Sequence, residues 1–167
     1  MRESMIPGRG AATVAALAVL GCAAPEPSAD LAARRAAVAA AGSRVMPFDL
    51  DATVHVFEKT GFGGIQQVVA ETGDPRQIAL IREHLELEAG RFARGDFHDP
   101  AMVHGPEMAG LHRLVMGHER LSVEYGEIDR GAEIVYRSED PSLVAAIHAW
   151  FDAQLRDHGE HARAHRR

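Results

Sequence analysis

Two Asp-Pro pairs, Asp74-Pro75 and Asp140-Pro141, each open an amphipathic segment, and each segment follows two β-rich runs. An Asp N-cap with Pro at the first helical position is a strong helix start, because the carboxylate accepts a free N–H and the proline ring already has helical φ. The first helix carries Ile78, Ile81, Leu85, Ala89 and Phe92 at helical spacing, and the second carries Val144, Ile147, Phe151 and Leu155. Before the first helix come Thr53-Val54-His55-Val56-Phe57-Glu58 and Ile65-Gln66-Gln67-Val68-Val69-Ala70, separated by a glycine-rich turn. Before the second come Leu121-Ser122-Val123-Glu124-Tyr125 and Ala132-Glu133-Ile134-Val135-Tyr136-Arg137, which alternate apolar and polar across Asp129-Arg130-Gly131. Alternation of this kind predicts strands with one buried face.

The two blocks superpose at an offset of 66 residues, with Val68 on Ile134, Ile81 on Ile147 and Leu85 on Phe151. The pattern reads as a ββα unit used twice. It predicts an α+β domain over residues 44 to 160, a four-stranded antiparallel sheet with both long helices on one face. A further helix is expected near residues 106 to 116. Residues 30 to 43, rich in alanine and ended by Gly42, predict a peripheral helix whose small side chains pack weakly. Residues 161 to 167 read as a polar tail.

The N-terminus reads as an address. Arg2 and Arg9 precede the apolar run of residues 11 to 20, and Gly21-Cys22-Ala23-Ala24 supplies a small-residue exit. A run of about ten residues is too short to span a bilayer core, which takes roughly twenty, and suits an export signal. Val19-Leu20-Gly21-Cys22 resembles the lipobox of bacterial lipoproteins. The resemblance implies removal of residues 1 to 21 and lipidation of Cys22, with residues 22 to 29 as a proline-containing tether. Cleavage after Ala24 is the alternative. Ala23, where lipoproteins kept at the inner membrane often carry Asp, implies a periplasm-facing protein of the outer membrane.

Composition narrows the function further. Cys22 is the only cysteine, so lipidation would leave no thiol for a disulfide or a metal. The full chain carries a formal net charge of -6, and loss of Arg2, Arg9 and Glu3 takes it to -7. With no basic cluster in its middle, the chain is not expected to bind nucleic acid. No His-Glu-x-x-His, Gly-x-Ser-x-Gly, P-loop or dinucleotide fingerprint occurs, so nothing in the sequence supports catalysis.

Ten histidines in 167 residues are the chemical lead. His158, His161 and His165 fall toward a polar end that is expected to be solvated. Residues 95 to 108 form an expected loop with two imidazoles, His98 and His104, and two thioethers, Met102 and Met108. Imidazole with thioether suits copper, and imidazole with carboxylate suits zinc. His55, His84 and His148 lie on regular elements, with Glu88 and Asp152 one turn beyond His84 and His148. The expectation is a transition-metal site, copper before zinc, built from His104 and Met108 with His55, His84 or His148. A metal-free envelope interaction module, using an open sheet face with Val69 and Val135 outward, is the alternative, and a small-molecule or haem site is a third.

Met46-Pro47-Phe48-Asp49-Leu50, His55-Val56-Phe57, residues 92 to 97, His104-Gly105 and residues 149 to 155 together resemble a family of small exported bacterial proteins. Its members often carry the label aspartate carbamoyltransferase. The resemblance implies an exported single domain and no particular activity. The label itself does not fit, because the Ser-x-Arg-Thr loop and His-Pro-x-Gln motif of true aspartate carbamoyltransferases are missing from this chain.

Overall fold

The computed structural model describes residues 28–165 and is a mixed α/β fold built on one open five-stranded sheet. The signal, Cys22 and most of the tether lie outside the described residues. Helix α1 (Ala29–Val45) comes first, then a 3-10 turn at Leu50–Ala52, strands β1 (Thr53–Thr60) and β2 (Gly63–Ala70), and helix α2 (Pro75–Phe92). Short helices α3 (His98–His104) and α4 (Leu111–Gly117) lead to strands β3 (Ser122–Ile128) and β4 (Gly131–Arg137). Helix α5 (Pro141–His158), a 3-10 turn at Gly159–His161 and strand β5 (Ala162–Ala164) complete the described chain. None of the described helices is long and apolar enough to cross a membrane.

Both long helices start where the Asp-Pro pairs predict. The Asp74 Oδ1 accepts the Arg76 N–H at 2.9 Å, and the Asp140 Oδ1 accepts the Ser142 N–H at 2.8 Å. The sheet order is β3-β4-β2-β1-β5, so the two hairpins meet at their second strands. There Gln67 pairs with Glu133, and the Gln67 Nε2 donates to the Glu133 Oε2 at 2.9 Å. The expected four-stranded antiparallel sheet needs correction: β5 adds a fifth strand, parallel to β1, with His55 opposite Ala162. Its sequence, Ala-Arg-Ala, has no strand signature; β1 offers an edge, and the His165 N–H takes the Phe57 carbonyl at 3.0 Å. The end expected as a polar tail is thus partly docked.

The register puts Phe57, Gln66 and Ile134 side by side on one sheet face, with Tyr136 two residues beyond Ile134. That face carries both long helices. Tyr136 meets Phe92 of α2 at 6.4 Å between ring centroids and Phe151 of α5 at 5.9 Å. Val68, Ala132, Ile134, Ile147 and Trp150 are fully enclosed between sheet and helices. Gly63, at φ +143°, keeps the first hairpin against β4, since a Cβ there would collide with the Tyr136 carbonyl.

Two further expectations change. The segment 95 to 108 is not an open loop: α3 occupies its middle, started by the Asp96 carboxylate on the His98 N–H at 3.1 Å and ended by Gly105 at φ +90°. The helix expected over 106 to 116 begins later, at Leu111. Helix α1 buries only Val38 and Gly42, as its alanines predict, but it is pinned by charge. Arg34 reaches across to Asp157 of α5 with bonds of 2.7 and 2.6 Å, and the Arg35 Nε donates to the Arg156 carbonyl at 2.9 Å.

Candidate functional site

Where α1, α2, α3, β1 and α5 come together, four imidazoles share one cavity of about 60 Å³: His55, His84, His104 and His158. Each belongs to a different element. His55 sits on β1 on the core face, and the alternation of the strand leaves its ring buried beside Phe57. His84 lies on the flank of α2, its ring edge-on to Phe48 at 5.7 Å. His104 closes α3 and is buried, and His158 is the last residue of α5. The His55 and His158 ring centroids are 5.0 Å apart, and those of His104 and His158 are 4.9 Å apart. His55 and His158 also border a larger cavity of about 760 Å³ under α1, so their stacked rings separate the inner space from the outer one.

The hydrogen bonds decide which nitrogens are free. Burial raises the Asp157 carboxyl, but bonds from Arg34 and His104 outweigh that and bring it down to about 2, so it is ionised and can only accept. The His104 Nδ1, 3.1 Å away, must therefore be the donor, so that Nε2 carries the lone pair, and the Gln154 side chain also lies within hydrogen-bonding reach of the ring. The His158 Nε2 donates to the Gln154 Oε1 at 3.1 Å and leaves Nδ1 free. A backbone bond at His161 holds the His55 ring, and the His55 Nδ1 is buried with no hydrogen-bond partner.

The rings are neutral at neutral pH. Burial pushes His55 down to about 4, with repulsion from His84 and His104 adding to it. Burial also lowers His84, lowers His104 against the pull of Asp157, and takes His158 well below the usual imidazole range. Glu88 lines the same cavity and is pushed up to about 7, first by burial and then by the charge of Asp99. Arg91 opposes that shift, bonding Glu88 at 2.9 Å and Asp99 at 2.8 Å.

Of the expected ligands, the fold brings His55, His84 and His104 together and separates the other two. Met108 is packed in the main hydrophobic cluster and does not line the cavity. His148 faces the far end of β1, where its Nε2 donates to the Thr60 and Gly63 carbonyls at 3.0 and 2.9 Å. Thr60 lies five residue steps along the strand from His55, roughly 16 Å at the rise of a β-strand, so no single ion joins His148 to the cluster. His148 closes the β1–β2 hairpin instead.

His158 is the residue the sequence reading misplaced, and a signal for it existed. Carried past Leu155, the helical register of α5 runs from Trp150 to Gln154, Asp157 and His158, and Trp150, Gln154 and Asp157 are all buried. Arg34 had no such signal, because it meets Asp157 across 123 residues of chain.

As they stand, no three His, Cys, Asp or Glu side chains among the described residues are grouped closely enough to hold a metal ion. Val69 and Val135, expected outward, lie on the sheet face away from the helices and are half-buried. The large exposed apolar residues, Phe62, Leu87, Met102 and Met116, lie elsewhere. Compared with family models, with curated proteins and with solved structures, the chain matches none.

Proposed function

We propose that this protein is an exported, lipid-anchored envelope protein that binds one divalent transition-metal ion in the pocket of His55, His84, His104 and His158. The observation that carries the reading is the buried His55 Nδ1 without a partner, beside rings whose other nitrogens are already tied. An imidazole held at one nitrogen by a carboxylate, an amide or the backbone is oriented to give its second nitrogen to a metal. Two imidazoles on one tetrahedral ion, each bonded at about 2.0–2.1 Å, place their ring centroids about 5 Å apart. The spacings of 5.0 and 4.9 Å at His158 match that figure. Orientation is what loading must change: His55 and His158 lie nearly parallel, at 11°, and have to turn for their lone pairs to converge.

Without Met108 the donor set is nitrogen-rich, with Glu88 as the nearby carboxylate. That set suits Cu(II) or Zn(II) and removes the thioether argument for Cu(I). Trp150 is the only tryptophan of the chain and lines the pocket, so its fluorescence reports Cu(II) directly. Titration of the whole chain is expected to quench it at one equivalent. His104→Ala and His158→Ala should weaken binding at least tenfold, with His148→Ala unchanged. Copper and zinc affinities weaker than micromolar, or indifferent to both pocket variants, overturn the reading.

The envelope assignment rests on the charged start, short apolar run and Cys22 of the sequence. Its test is incorporation of labelled fatty acid, which Cys22→Ser should abolish. We also read the two ββα units as an internal duplication. Gln67 and Glu133, partners at the centre of the sheet, are 66 residues apart, the offset at which the two halves align.

A further inference from the structure

Helix α1 is held by polar bonds and fills little space. Arg34 is bonded to Asp157 and to the His104 carbonyl, and Arg35 to the Arg156 carbonyl, yet only Val38 and Gly42 of the helix are buried. The neighbours of Val38 on the helix that line the space beneath it are small: Ala36, Ala39 and Ser43. Side chains of one or two heavy atoms leave a gap that the arginine bonds span, a cleft of about 760 Å³. Small-molecule sites commonly enclose about 300–1,000 Å³, so the cleft has the size of one.

Its walls select a ligand chemistry. Val38, Phe48 and Leu50 supply apolar surface, and His55 and His158, stacked 5.0 Å apart at 11°, add aromatic surface. Burial keeps both imidazoles neutral at neutral pH, so neither attracts an anion. Once Asp157 is assigned to Arg34, the charged groups left on the wall are Asp49, Asp51, Glu160 and Arg35. Arg35 is already seated: its Nε donates to the Arg156 carbonyl at 2.9 Å, and an added Cβ at Gly159 would stand 3.0 Å from the same atom. The Asp51 carboxylate is 90% exposed and lies 3.9 Å from the His161 Nε2, beyond hydrogen-bond distance. Three carboxylates against one guanidinium make the rim acidic above an apolar floor. An organic anion is repelled by that rim, and a bare inorganic cation gains nothing from the floor.

We propose that the cleft beneath α1 binds an organic ammonium ion with a flat apolar body, the body against Val38, Phe48 and the stacked histidines and the charge toward Asp51 and Glu160. No metal takes part. The probes are 1-naphthylmethylammonium, 1-naphthalenemethanol and 1-naphthoate, which share one ring system and differ in charge. Each is titrated into the whole chain at low salt with EDTA present, and the imidazole C–H resonances of His55, His158 and His118 are followed by NMR. His118 lies against Gly95, outside the cleft, and serves as the control.

The ammonium probe is expected to bind saturably, to shift His158 and not His118, and to bind about fivefold tighter than the other two probes, the sum of two exposed charge contacts. In the double variant Asp51→Asn, Glu160→Gln, which alters only exposed side chains, that advantage should fall below about twofold. Ala39→Trp fills the cleft from the helix side and should weaken the ammonium probe at least tenfold; the double variant decides the matter if Ala39→Trp fails to fold. No saturable binding of the ammonium probe, equal affinity for all three probes, an unmoved His158, or a folded Ala39→Trp with wild-type affinity overturns the inference. EDTA keeps each of these outcomes separate from the copper titration, so the two readings fail independently.

Discussion

The His104 Nδ1 donates to the Asp157 Oδ2 over 3.1 Å, and the same carboxylate receives two bonds from Arg34 on α1. One fully buried carboxylate thereby sets the tautomer of a pocket histidine and fastens the N-terminal helix across that pocket. The Arg34 Nη2 also donates to the His104 carbonyl at 3.3 Å, so helix and histidine are joined twice.

Asp157→Asn tests this arrangement. The amide can no longer act as an acceptor at both oxygens, so either His104 or Arg34 loses its partner. The expected cost is about 1–3 kcal/mol of stability, read from the urea midpoint. Loss of a carboxylate behind a metal-binding imidazole typically weakens affinity 10- to 100-fold, and the same drop is expected here. A variant with wild-type stability and wild-type copper affinity would show that the pair positions nothing.

Acid should destabilise the metal-free protein. His55 titrates near 4 when folded and near 6.5 when unfolded, so the unfolded chain takes the proton first as pH falls. Its contribution is full above pH 6.5 and is lost between 6.5 and 4, with a slope of up to about 1.4 kcal/mol per pH unit. The lowered values of His84, His104 and His158 act in the same direction. Glu88 acts in the opposite one: raised from 4.5 to about 7, its contribution is full below 4.5 and is lost as pH rises to 7. Four rings outweigh one carboxyl. The urea midpoint is expected to fall from pH 6.5 to pH 4, more steeply in Glu88→Gln and less steeply in His55→Gln.

His148→Ala and Met108→Leu separate the observed cluster from the one the sequence suggested. Removing the His148 ring deprives the Thr60 and Gly63 carbonyls of their donor and should cost about 1–3 kcal/mol, with copper affinity unchanged. Met108→Leu is close to volume-conserving in the core and should cost less than about 1.5 kcal/mol, again without effect on copper. Weakened copper binding in Met108→Leu would restore a thioether ligand and redraw the site.

Gly63→Ala tests the join between the two hairpins. A Cβ at this position meets the Tyr136 carbonyl and adopts a φ that side chains rarely accept. A loss of at least about 1–3 kcal/mol in thermal or urea unfolding is expected. A neutral substitution would mean that β2 and β4 separate more easily than their register suggests.

What the sequence by itself determined is local. Asp74-Pro75 and Asp140-Pro141 placed both long helices because caps act over three or four residues, and alternation placed β1 to β4 because side-chain direction has a period of two. Side-chain chemistry and local pattern also selected the candidates, His104 and Met108 from the ligand-dense segment 95 to 108 and His55, His84 and His148 from regular elements. Only the tertiary structure decided which candidates meet. Met108 and His148 had the right chemistry and went to the core and to a hairpin end. His158 and Arg34, set aside as tail and as peripheral helix, became a wall of the pocket and its clamp. Strand β5 formed because β1 offered an open edge, not because Ala-Arg-Ala prefers to be extended. The contact between Arg34 and Asp157 crosses 123 residues, and the pairing of His55 with Ala162 crosses more than 100. Separations that long leave no mark in local pattern, because they exist only once burial has folded helices and sheet onto one another.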